Sequence, residues 1–237
     1  MKTIGLIGGM SWESTAIYYR TINERVKQRL GGLHSAKIVL VSLDFAELAA
    51  LQRGERWPEA GEMMVGAARS LAAAGADFIV ITANTMHKAA PAIVDAVPLP
   101  LLHVVDVTAA AVRPSGARTV GLLGTRFTME DDFFRERLES RHGLRSIVPA
   151  ADDREQVHRV IYDELCVGVV REESRALFRG IVGRLVAEGA EAVILGCTEL
   201  SMILSPPDSP VPLWDTARIH ATAAADYALA DDEGGTR

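Results

Sequence analysis

The chain has 237 residues, 49% of them apolar and 24% charged, enough to bury a sizeable core in two small lobes or one large α/β domain. Its formal net charge of −6 gives no electrostatic reason to expect DNA, RNA or an anionic membrane as a partner. Two cysteines, Cys166 and Cys197, make no disulfide framework, and no run approaches the ~20 apolar residues of a membrane span.

At the N-terminus, Met1-Lys-Thr-Ile-Gly-Leu-Ile-Gly-Gly9 holds an apolar run too short for a signal peptide, so a cytoplasmic protein is expected. Residues 3–8 read as a short apolar strand, 12–30 as a helix and 36–43 as a second strand. An Ala-rich helix over 59–74 stops at Gly75, and a third strand follows over 77–82. The second half reads as strand 119–124, helix 129–141, strand 144–148, helices 155–166 and 171–188, and strand 192–196. A helical tail over 215–230 is expected to pack back on the first lobe, and the last residues, Asp231 to Arg237, are expected to fray. Fully apolar strands alternating with helices predict parallel sheets covered on both faces.

The chain is written twice. Leu71-Ala-Ala-Ala-Gly75-Ala-Asp-Phe-Ile-Val-Ile-Thr-Ala83-Asn-Thr85 aligns without gaps on Leu185-Val-Ala-Glu-Gly189-Ala-Glu-Ala-Val-Ile-Leu-Gly-Cys197-Thr-Glu199, at an offset of 114. Thr3-Ile-Gly-Leu-Ile-Gly8 matches Thr119-Val-Gly-Leu-Leu-Gly124 at 116, and Pro98-Leu-Pro-Leu101 matches Pro210-Val-Pro-Leu213 at 112. A period this long is duplication of a half-domain and not a solenoid. The expected architecture is α/β, with two pseudo-symmetric lobes, each a parallel sheet flanked by helices, around a cleft. The lobes are drawn as residues 1–98 plus 214–237, and residues 99–213.

Ligands of open parallel sheets bind beyond the C-terminal strand ends. Four exits are brought into line for that place: Gly8-Gly9-Met10-Ser11, Ala83-Asn84-Thr85, Gly124-Thr125 and Cys197-Thr198-Glu199. Cys197 reads either as a small buried hydrophobe or as a thiol at the sheet mouth. In the second case, backbone N–H groups at a following helix start are expected to lower its pKa below ~8.5 and make it a base or nucleophile. Asn84 and Thr85 offer hydrogen bonds to a carboxylate, and the N–H groups near Gly9 and Gly124 offer an anion site, with ordinary helix capping as the alternative. Together they suggest a small anionic ligand. His87 either caps its helix or lines the site. Gln52-Arg53 read as a polar loop after the second strand, open to a substrate role. Glu164, Arg20 and Cys166 read as structural. The glycines do not match G-x-G-x-x-G, so no dinucleotide is expected, and the six histidines show no ligand spacing, so no metal is expected.

Gly8-Gly-Met-Ser-Trp-Glu-Ser-Thr15, Asn84-Thr-Met-His87 and Gly196-Cys-Thr-Glu199 resemble a bacterial branch of the aspartate/glutamate racemase family, and the resemblance runs along essentially the whole chain. It implies an active site between two lobes, a homodimer, an acidic amino-acid substrate and chemistry without a cofactor. In the family, one thiolate removes the α-proton and a thiol on the opposite face returns one, while hydrogen bonds to the carboxylate help stabilise the carbanion. By position, the two acid/base residues are Cys197, which serves the proton of the L-enantiomer, and residue 83. Met10, Gln52, Asn84, Thr85, Thr198 and Glu199 carry over as substrate contacts. Ser11 and Thr125 join them from the matched exits.

Ala83 is the departure. Relatives carry cysteine there, or in this branch threonine, and alanine moves no proton. Thr82 reaches the site only if the strand has already broken, because successive strand residues face opposite ways. A water held by Asn84 or Thr85 is the other candidate. Three readings follow: an aspartate or glutamate racemase that is L-preferring or impaired, a one-cysteine decarboxylase or isomerase of a small dicarboxylate, and a degenerate protein that binds an acidic amino acid.

Overall fold

The structure is a computed structural model that describes residues 1–230. The expectation for the seven residues beyond lies outside the described residues. By contacts the chain forms two compact units, one of Met1–His103 with the segment from His220 onward, the other of Val104–Ile219.

The first unit runs β1 (Ile4–Gly8), α1 (Trp12–Leu30), β2 (Ile38–Ser42), α2 (Phe45–Arg53), α3 (Trp57–Ala73), β3 (Phe78–Ile81), a 3₁₀ turn (Thr85–Ala89) and α4 (Ala90–Ala96). Its sheet is parallel with order β2-β1-β3. Every residue of β1 and β3 is buried, as expected of apolar strands covered on both faces. α1 begins where Ser11 accepts the Ser14 N–H, carries Glu13 in its first turn and Lys27 and Arg29 in its last, and so complements its own dipole. α3 buries Ala60, Met64, Ala67, Ala68 and Leu71, a stripe at helical spacing laid on the sheet.

The second unit runs α5 (Val104–Val112), β4 (Thr119–Gly124), α6 (Arg126–Glu130), α7 (Asp132–His142), β5 (Arg145–Ile147), α8 (Ala151–Asp163), α9 (Glu172–Ala187), β6 (Ala192–Gly196), α10 (Leu200–Ile203), β7 (Leu213–Asp215) and the first residues of α11 (Thr216–Leu229). Its sheet order is β5-β4-β6-β7, again all parallel. α9 buries Phe178, Ile181, Val182 and Leu185, each worth about 1.5–3 kcal/mol against exposure.

The duplication is visible in the register. Ile4 pairs with Phe78, and Val120 with Ala192, the same pairing at the offsets read from the sequence. Gly75 and Gly189 both hold positive φ, +84° and +102°, in the turn before the third strand of each half. The acidic residue after each turn fastens the start of the sheet: Asp77 accepts the Thr3 N–H at 2.6 Å and Glu191 the Thr119 N–H at 2.9 Å. The Pro-x-Pro-Leu repeat is the fourth parallel edge of each sheet, with Leu101 bridged to Ile79 and Leu213 paired with Val193. After that edge the chain changes unit, so α5 belongs to the second unit and most of α11 to the first. The changes of unit fall after His103 and after Ile219, five and six residues beyond the boundaries drawn from the sequence.

Three expectations are corrected. The supposed loop at Gln52-Arg53 is the end of α2, which Asp44 caps. The single helix expected over 129–141 is two, α6 and α7, because Asp131 leaves the helical region at φ −76° and ψ 145°. Cys166 lies in a 3₁₀ turn after α8 and not within the helix.

Gly9 holds φ +88°, and a Cβ there would run into the Leu43 carbonyl. Gly9→Ala is expected to destabilise the protein by about 2 kcal/mol or more, read as a lowered urea midpoint. An unchanged midpoint would mean that the loop relaxes freely.

Candidate active site

The exits of the second unit meet at neighbouring strands, since Gly124 of β4 pairs with Gly196 of β6. Thr125 follows the first and Cys197 the second, and Thr125, Cys197, Thr198 and Glu199 are all buried. Cys197 packs in a core cluster with Leu123, Leu195 and Leu200. Its Sγ donates to Glu199 Oε2 at 2.9 Å.

This geometry reverses the pKa expectation. Helix α10 has only four residues, and its N-cap residue, Glu199, turns its carboxylate onto the thiol, outweighing the lowering effect of its own backbone N–H. Burial, then the Glu199 charge and the nearby Cys166, push the Cys197 thiol well above its ordinary value. At rest Cys197 is a thiol hydrogen-bonded to a carboxylate, not a thiolate.

In the first unit, Met10 and Met86 share a core cluster against which Ala83 packs. Gln52 is 3% exposed and donates from Nε2 to Met86 Sδ at 3.1 Å, which brings α2 to the exit of β3. Asn84 is buried and Thr85 half-buried. Ser11 and Thr125 cap α1 and α6, accepting the N–H groups of Ser14 and Thr128. The Gly9 N–H, expected to be open to an anion, donates instead to Thr15 Oγ1 at 2.9 Å.

Thr82 is also spoken for. β3 has ended before it, yet its hydroxyl lies 3.1 Å from that of Thr15 and is fully buried. Thr15 gives its own proton to the Ser11 carbonyl at 3.0 Å, so Thr82 must donate to Thr15. It is committed away from any proton transfer at residue 83.

Composition and spacing did not reveal what lies behind the β3 exit. His87, His103 and His220 are buried together, with ring centroids 4.7 Å apart for His87–His103 and 5.6 Å for His87–His220. Tyr18 OH donates to His220 Nδ1 at 2.9 Å, because His220 Nε2–H is given to the Leu102 carbonyl at 2.8 Å. Burial lowers the pKa of His87 well below its usual value, helped by the neighbouring histidines, and pushes His220 down to about 4. Both are neutral when folded. The unfolded chain binds protons below about 6.5, so stability present near neutrality is lost as pH falls from there toward the folded pKa values. His220 alone accounts for roughly 3 kcal/mol of that loss at most. Denaturant midpoints measured at about pH 7 and about pH 4.5 are expected to fall clearly, and equal midpoints would contradict neutral burial.

Among the described residues, no group of three or more His, Cys, Asp or Glu is arranged to hold a metal ion, and no helix is long and apolar enough to cross a membrane.

The family model described as Asp/Glu/hydantoin racemase matches residues 7–224. The chain belongs to this family. The match takes in all four strand exits named above. Among solved structures, the racemase-family chain is similar to a Yersinia pestis protein classed as an Asp/Glu racemase, at 52% identity over 97% of this chain and 100% of that one, with a TM-score of 0.91. It is also similar to PH1733, an aspartate racemase homologue from Pyrococcus horikoshii OT3, at 34% identity, 96% and 99% coverage and a TM-score of 0.83. Among curated proteins it is similar to the broad specificity amino-acid racemase RacX of Bacillus subtilis strain 168, at 24% identity over 172 residues, 73% of this chain and 74% of RacX. The homologous racemases are isomerases, and the α/β architecture with parallel sheets is shared with them.

Proposed function

We propose that the chain is a cofactor-independent racemase of aspartate or glutamate in which Cys197 is the acid/base that serves the α-proton of the L-enantiomer. The observation that carries this reading is the thiol–carboxylate pair at the β6 exit, Cys197 Sγ donating to Glu199 Oε2 at 2.9 Å, within a racemase-family chain. The pair supplies what the chemistry lacks at rest. Glu199 accepts the thiol proton, the cationic ammonium of the substrate favours the resulting thiolate, and the thiolate takes the α-proton. In reverse, the thiol delivers that proton to the carbanion and yields the L-form. Thr198 and Thr125, with Met10, Ser11, Gln52, Asn84 and Thr85 by their motif positions, are proposed to contact the substrate, and hydrogen bonds from Thr198 and Thr125 to its carboxylate to help stabilise the carbanion. A homodimer and a cytoplasmic location belong to the same proposal.

With Ala83 inert and Thr82 bonded to Thr15, water is the remaining proton source for the second face. Racemisation is therefore expected to be slow. Ala83 also favours a second reading, one-sided chemistry on a small dicarboxylate such as decarboxylation followed by protonation, or binding without turnover. Chiral chromatography of L-aspartate and L-glutamate incubated with extensively dialysed protein separates these. Appearance of the D-form is expected; a decarboxylated amine, or unchanged substrate, would contradict the racemase reading.

A further inference from the structure

We infer that His87 is a positioning residue for the first-unit half of the amino-acid site, bracing the β3 exit that carries Ala83, Asn84 and Thr85. The inference rests on the racemase reading only for what the exit binds; the brace itself is a matter of geometry. His87 holds two successive carbonyls of the exit. Its ring Nδ1–H donates to the Ala83 carbonyl at 2.9 Å, and its backbone N–H donates to the Asn84 carbonyl at 3.0 Å. The residue is 1% exposed, so water does not compete for either bond.

The ring is fixed from behind. It lies against His103 and His220, and His220 is pinned at both nitrogens by Tyr18 of α1 and the Leu102 carbonyl beside the fourth sheet edge. A chain of buried groups, hydrogen-bonded at its ends and in ring contact at its middle, thus links α1, the sheet edge and α11 to the carbonyl of residue 83. A buried imidazole cluster is a costly way to fill space that an aliphatic side chain would fill, since each ring nitrogen needs a partner.

The duplication supplies an independent observation. At the offset of 114 the counterpart of His87 is Ser201. Its hydroxyl donates to the Thr198 carbonyl at 2.9 Å, and Thr198 is the counterpart of Asn84. Both halves therefore fasten the exit with a side chain four residues past the acid/base position, although the two residues differ in kind. The two side chains hold neighbouring carbonyls and not the matching one: His87 holds that of Ala83, Ser201 that of Thr198, one position further along.

Asn84 and Thr85 are proposed to hold the substrate carboxylate in the ground and transition states alike. Loosening them weakens binding more than it slows the chemical step. Asn places its amide nitrogen where His Nδ1 sits, whereas Gln reproduces Nε2. His87→Asn therefore keeps the bond to Ala83, and His87→Gln loses it while preserving bulk and polarity.

The experiment combines amide hydrogen exchange of the peptide spanning 83–89 with KM and kcat for aspartate. Slow exchange and a KM within ~3-fold of wild type are expected for His87→Asn. Fast exchange, with KM raised ~10-fold or more and a smaller change in kcat, is expected for His87→Gln. The same exchange and KM in both variants would overturn the brace. Long-range proton–nitrogen NMR on the wild-type protein needs no variant: His87 protonated at Nδ1 supports the inference, and the Nε2–H tautomer overturns it. If wild type turns over no amino acid yet the exchange pattern holds, the racemase reading fails and the brace stands.

Discussion

Ala83→Cys is expected to raise the rate of aspartate racemisation by ~10²–10⁴-fold, the usual contribution of a positioned acid/base group. Residue 83 occupies the same place in the first repeat that Cys197 holds in the second, two residues past the last strand position of β3. Its backbone is already fixed, because the carbonyl accepts from His87. Its side chain is half-buried against the cluster that contains Met10 and Met86, so a thiol there adds one atom without entering a closed core. No hydroxyl stands in for it: Thr82 gives its proton to Thr15. The gain should appear in kcat for both enantiomers, measured by chiral chromatography. An unchanged rate would mean that another group already serves that face at full efficiency.

Cys197→Ser is expected to reduce solvent-deuterium exchange at Cα of L-aspartate by ~10²-fold or more while leaving the fold intact. Serine retains a donor for Glu199 Oε2 and nearly the same volume, so the buried exit loses neither its packing nor its hydrogen bond. It loses the acidity that lets the proton leave. An unchanged far-UV spectrum and thermal midpoint would show that the effect is chemical. Retention of full exchange would remove Cys197 from the role proposed for it.

Much of the fold was legible because the chain repeats. Gly75 with Gly189, Asp77 with Glu191, and the two Pro-x-Pro-Leu segments turned out to occupy matching places in two parallel sheets. The helices missed were those with weak signals. α5 is almost wholly apolar, with no polar stripe to give it a period, and α2 was hidden by Gln52-Arg53, which end it. The site was legible as a set of positions but not as an electrostatic environment. Sequence showed that N–H groups follow Cys197; it did not show that the Glu199 carboxylate turns back onto the thiol and reverses the pKa shift. The histidine cluster was invisible for a similar reason. Residues 87, 103 and 220 are distant in sequence and meet only because α11 returns to the first unit.

The most direct test of the central claim is proton NMR of L- and D-aspartate and glutamate in D₂O with the wild-type protein, following loss of the α-proton together with optical rotation. Cysteine acid/base chemistry at Cα predicts loss of the α-proton from the L-form, fast relative to any fall in rotation, because Cys197 works without a partner of equal strength at residue 83. No exchange from any of the four substrates would contradict it.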